Sequence, residues 1–117
     1  MQDARAALIY TTLPNADRAR EMGELLVREG LAACVNIIPH MQSIYIWQGE
    51  LAQDEEVVLL AKTTSQLATA LMKRMAALHP YEVPAILHLP VMDVHAPYLA
   101  WMRQAVCAKP AADETGE

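Results

Sequence analysis

Apolar residues in this chain fall into short runs of strand length and stripes of helical spacing, one after the other. AALIYTT, residues 6–12, reads as a strand. Pro14-Asn15 breaks it, and Asn15 is placed to cap a helix over about 16–29, with Ala19, Met22 and Leu26 on one face. Gly30 ends that helix. LAACVNII (31–38) is an apolar run of strand length, followed by a jog at Pro39. SIYIWQG (43–49), rich in β-branched and aromatic residues, continues as strand. Gly49 marks a turn from which EEVVLLAKTT (55–64) returns as the second arm of a long hairpin. Thr64 or Ser65 caps a second helix over about 66–78, striped by Leu67, Leu71, Met75 and Leu78. A last strand covers about 84–91. Pro97 then sits in the first turn of a short helix carrying Tyr98, Trp101 and Met102.

That order predicts an α+β fold, a ferredoxin-like βαββαβ sandwich with an extended central hairpin and a C-terminal helix. Such a four-stranded antiparallel sheet carries both crossover helices on one face and leaves the other open, so its strands should alternate apolar and polar residues. Here they do not. Ile44 and Ile46 oppose Tyr45 and Trp47, and Val57, Leu59 and Ala61 oppose Val58 and Leu60. Both faces require burial, which one copy of the chain does not supply. Composition points the same way: 54% of residues are hydrophobic and mean hydropathy is +0.12. The chain is therefore expected to form a tight homo-oligomer.

The 117 residues fit one domain, taken as 1–108, with KPAADETGE (109–117) a disordered acidic tail. No apolar run reaches the roughly 18 residues that span a bilayer, and the N-terminus has no signal-peptide pattern. A net charge of −5 without any basic cluster argues against nucleic acid as a partner. Two cysteines, Cys34 and Cys107, form no disulfide framework, which fits a cytoplasmic protein with free thiols.

Candidate chemistry concentrates in LHPYEVPAILHLPV (78–91). Pro80 and Pro84 stiffen this stretch. His79, Tyr81 and Glu82 are then either presented to a cleft or used to tie the second helix to the sheet. Lys62 follows the apolar run VVLLA, where an unpaired ammonium is costly to bury. Glu56 lies about 20 Å away along the strand, so Glu82 or a neighbouring chain is the expected partner. Cys34 sits among apolar neighbours and reads as core filler, or as a soft Cu(I) ligand helped by His40 and Met41. His88, between two leucines, reads as a core histidine. No nucleophile elbow, glycine-rich phosphate loop or Cys/His pair is present, and nothing in the residues points to an enzyme.

Five stretches together resemble the CutA family of divalent-cation tolerance proteins: LAACVNIIP (31–39), SIYIWQG (43–49), EEVVLLAKTT (55–64), HPYEVPAI (79–86) and YLAW (98–101). The resemblance covers about residues 6–106. It implies a ferredoxin-like subunit with an extended β2–β3 hairpin, assembled as a stable cytoplasmic homotrimer, and a link to copper and other divalent metals. It places Lys62, Tyr81, Tyr45, Trp47 and Trp101 near clefts between subunits, with His79, Glu82 and Cys34 as weak metal ligands. No organic cofactor, membrane or nucleic acid is implied. The chain departs from the pattern at Thr11, Leu78 and Ala85, where relatives carry further potential ligands. Two alternatives follow from the fold: a module resembling the PII signal proteins that holds small anions, or a stable scaffold for a protein partner.

Overall fold

A computed structural model of the protein describes residues 5–107. The elements run β1 (Ala6–Leu13), α1 (Ala16–Arg28), β2 (Cys34–Trp47), β3 (Glu50–Thr64), α2 (Ala68–Leu78), β4 (Ile86–Pro90) and α3 (Ala96–Cys107). The strands form one antiparallel sheet in the order β2-β3-β1-β4. The expected ferredoxin-like arrangement is therefore the observed one. The acidic tail expected over 109–117 lies outside the described residues.

α1 begins where the sequence places it. The Asn15 side chain accepts a hydrogen bond from the Arg18 N–H at 2.9 Å, satisfying one of the free donors of the first turn. Gly30, at φ 76°, takes the left-handed position after the last turn, and Leu31 N–H returns to the Leu26 carbonyl. Ala19, Met22 and Leu26 are buried as their spacing predicts. They meet Ala7, Ile9 and Leu13 of β1, Val57, Leu59 and Ala61 of β3, and Leu71 and Met75 of α2. Each large aliphatic side chain fully buried there contributes about 1.5–3 kcal/mol. α2 is preceded by a 3-10 turn, Ser65–Leu67, and Thr64 makes no side-chain cap.

The hairpin differs from the reading in two separate strands. β2 is continuous across Pro39, with a bulge between Ile38 and Met41. Ile38 pairs with Val58 and Met41 with Glu56, so Pro39 and His40 together face one residue of β3. Proline has no N–H for the ladder, and His40 absorbs the distortion at φ 64°. The extra residue shifts the alternation by one. Tyr45 and Trp47 consequently share a face with Cys34, Asn36 and Ile38. β1 pairs with β3 only as far as Leu13 opposite Val57. Beyond that point the hairpin projects from the sheet, closed by Gln48 and Gly49, both at positive φ.

α3 packs on the sheet face opposite α1 and α2. Met102 and Val106 join Ala6 and Ala33 in a second cluster, flanked by Tyr98 and Leu99. One end of the open face is thus covered within the chain, and the hairpin end is not. β4 is shorter than expected and runs along the sheet edge. His88, on this edge strand, is exposed and is not a core histidine.

Candidate functional site

The projecting hairpin and the loop between α2 and β4 enclose a cleft of about 810 Å³. Tyr10 and Thr12 form its floor, Ser43, Tyr45, Trp47, Asp54 and Glu56 come from the hairpin, and Tyr81, Glu82 and Ala85 come from the loop. The parity shift at the bulge is what puts the β2 residues Ser43, Tyr45 and Trp47 on this face. A smaller groove of about 450 Å³ beside α1 is lined by Arg18, Glu21 and Arg28 and has no aromatic residue.

His79 anchors the loop. Its Nδ1 accepts the Tyr81 N–H at 3.2 Å, so the ring proton sits on Nε2. Nε2 lies 2.8 Å from the Thr12 carbonyl, to which it donates, and 3.0 Å from Thr11 Oγ1. Burial lowers the proton affinity of the ring below the usual histidine range; the Thr12 carbonyl and Glu56 pull it up and Arg18 pushes it down. Both nitrogens of the neutral ring are therefore occupied by the fold.

Tyr81 carries the connection to the hairpin. Its ring lies 4.9 Å from the His79 ring, and its hydroxyl donates to Glu56 Oε2 at 2.7 Å. Ser43 donates to the other oxygen, Glu56 Oε1, also at 2.7 Å. Tyr45 donates to Asp54. Burial first, and then the Glu56 carboxylate, raise the Tyr81 phenol far above its ordinary range. For Tyr45 the hydrogen bond to Asp54 is the leading cause of a rise. Both phenols stay protonated as donors to the carboxylates they orient.

The residues singled out in the sequence do not converge in one place. Tyr45, Trp47, Tyr81 and Glu82 line the cleft. Lys62 lies opposite Cys34 at the other end of β3, ten residues from Ala52, the partner of Tyr45. That is about 33 Å along an extended strand. Lys62 Nζ donates to Tyr98 Oη at 3.4 Å and lies 5.5 Å from the centre of that ring, and Tyr98 stacks on Trp101. The expected pairing of Lys62 with Glu82 is absent; the tyrosine takes its place.

Cys34 is half-buried beside Lys62, far from His79 and Glu82. His40 gives it no help, since Nδ1 of that exposed ring is 2.8 Å from Glu55 Oε2. Among the described residues no three of His, Cys, Asp and Glu sit close enough to hold a metal ion. Thr11, one of the positions where relatives carry further potential ligands, is fully buried against His79. Ala85, another of them, lines the cleft.

The sequence reading missed Asp54, Ser43 and Tyr10, and used Glu56 only to exclude it as a partner for Lys62. The side that Ser43 faces depends on the bulge in β2, which its place in the alternation does not reveal.

The profile of the CutA1 divalent ion tolerance protein family matches residues 7–105. A divalent-cation tolerance protein CutA of Thermus thermophilus is 46% identical over 97 residues, covering 83% of this chain and 94% of the relative. Protein CutA of Homo sapiens is 44% identical over 95 residues, which span 81% of this chain but 53% of the human protein. The crystal structure of CutA from Xylella fastidiosa superposes with a TM-score of 0.84 at 35% identity, over 90% of this chain and 99% of that one.

Proposed function

Because the chain belongs to the CutA1 divalent ion tolerance protein family, we propose that it works in the cytoplasm as a homotrimer that binds copper or another divalent cation weakly at clefts between its copies. The observation that carries this reading is the hairpin. Ile44, Ile46 and Leu51 are 64%, 65% and 74% exposed on one of its faces, and Trp47 is 63% exposed on the other. All four are largely in water in the single chain. Packing against sister copies removes that apolar surface from water at about 25 cal/mol per Å². It also brings the Lys62–Tyr98–Trp101 end of one copy within reach of the hairpin end of another, which one chain keeps about 33 Å apart.

Glu82 is the first candidate metal donor, because it is exposed at the cleft. His79 joins only by giving up its bond from Tyr81, and Cys34 only from another copy. This arrangement supports weak, shared coordination over a dedicated site. Binding, not catalysis, is the proposed role. The anion-binding alternative is less well supported, since Asp54, Glu56 and Glu82 line the cleft and no Lys or Arg does. The scaffold alternative has no feature of its own in its favour.

Calorimetric titration with Cu(II) and Zn(II) tests the metal role. Glu82→Gln is expected to weaken binding by about tenfold, the loss of one charge-assisted contact. Unchanged isotherms in that variant would remove the cleft from metal binding.

A further inference from the structure

The start of α2 holds a polar group that the fold leaves unused. Ser65 Oγ is out of reach of solvent and has no hydrogen-bond partner among the described residues. Such a group costs stability, and native folds seldom keep one without a use. Ser65 lines a cavity of about 440 Å³ together with Arg5, His88, Pro90, Val91 and Met92. The residue as a whole is part-exposed, so rotation about its Cα–Cβ bond carries the hydroxyl into that cavity.

The register places this cavity. His88 pairs with Ile9 and Pro90 with Ala7, and both partners belong to the core cluster under α1 and α2. His88 and Pro90 therefore stand on the helix side of the β4 edge, beside the start of α2. No hairpin residue lines the cavity, and neither does Lys62, Tyr98 or Trp101. It shares no residue with the contacts proposed between copies.

Its chemistry is opposite to that of the cleft. The chain carries a net charge of −5, yet among the described residues no Asp or Glu lines this cavity. Its polar members are Arg5, Ser65 and His88, all hydrogen-bond donors. The helical run from Ser65 into α2 has no side-chain cap at its start, and its dipole favours negative charge there. Met92 is almost fully exposed, apolar surface that a ligand with a carbon portion covers. The volume lies within the roughly 300–1,000 Å³ of small-molecule sites.

We propose that this cavity binds a small organic oxyanion. Its phosphate or carboxylate group accepts from Ser65 Oγ, His88 and Arg5, and its carbon portion lies against Pro90, Val91 and Met92. The site stands whether or not the hairpin cleft binds metal.

Calorimetry on the full chain at constant ionic strength tests it with phenyl phosphate and benzoate, set against phenol, which keeps the ring and lacks the anionic group. The expected result is saturable binding of one anion per chain, at least tenfold tighter than phenol. The tighter of the two anions identifies the group recognised. Ser65→Ala and His88→Gln should each weaken that binding about tenfold. Thermal unfolding separates binding from folding. Without ligand, Ser65→Ala should melt at or above the wild-type midpoint, because the unpaired hydroxyl is gone; the bound anion should raise the wild-type midpoint more than the variant's. Absence of saturable binding would mean that water alone serves Ser65 and would overturn the proposal. So would affinity equal to that of phenol, anion binding indifferent to Ser65→Ala, or a ligand-free variant that melts below the wild type.

Discussion

At the scale of single residues, His79 is a structural anchor whose protonation state is fixed by its partners. Nδ1 accepts from the Tyr81 backbone and Nε2 donates to the Thr12 carbonyl, so the folded chain holds the neutral ring. Burial lowers its pKa from the ordinary 6.5, against the opposing pull of the Thr12 carbonyl and Glu56. The unfolded chain therefore takes up the proton more readily than the folded one. The resulting stabilisation is fully present above about pH 6.5 and is lost as pH falls through the lower folded-state value. Denaturant unfolding at pH 7.5 and 5.5 should show this loss in the wild type and a smaller one in His79→Ala. At pH 7.5 that variant should be less stable by about 1–3 kcal/mol, the cost of leaving buried polar groups unpaired. A variant as stable as the wild type would mean that the loop is held by other contacts. The proline-stiffened stretch pointed to His79, Tyr81 and Glu82 from sequence alone. It left open whether they make a site or a fastening, and the fold divides the roles: His79 fastens, Tyr81 links and Glu82 faces the opening.

At the scale of elements, the order of strands and helices was legible because short apolar runs of strand length take turns along the chain with stripes of helical spacing. Two features were not. The bulge at Pro39-His40 merges two apparent strands into one and decides which hairpin residues reach the cleft, a matter of register that periodicity does not encode. The side of the sheet that α3 covers was equally unreadable, because its apolar residues suit either face. Close packing between α1 and β2 was also hidden in the sequence. A Cβ on Gly23 would stand 2.7 Å from Val35 Cγ2. Gly23→Ala gains about 1 kcal/mol of helix propensity, but overpacking against a stiff β-branched neighbour costs about 1–3 kcal/mol. Net destabilisation of about 1 kcal/mol is expected, and Val35→Ala in the same chain should relieve it. A double-mutant cycle with no coupling would show that α1 simply moves aside.

At the scale of the whole molecule, the dominant feature is the hairpin that projects beyond the sheet with apolar side chains on both faces. It spans residues 34–64 as two long paired arms, and no residue of its distal half belongs to the core cluster under α1 and α2. A lone copy would leave this surface in water and carry it as an aggregation hazard. Under the proposed assembly, stability and subunit contact are one quantity. The unfolding midpoint should rise with protein concentration, as mass action requires when only the folded chain associates. A charge placed on the hairpin, Ile46→Glu, should lower the fraction assembled and remove that dependence, without disturbing the core cluster under α1 and α2. A midpoint independent of concentration in the wild type would indicate that the exposed hairpin is tolerated as it stands.

The most direct measurement is sedimentation equilibrium of the wild-type chain at low micromolar concentration and neutral pH. The account predicts one species of about three times the 12.9 kDa chain mass, folded by circular dichroism, with Ile46→Glu shifted toward a single chain. A well-folded particle of one chain mass for the wild type would contradict it.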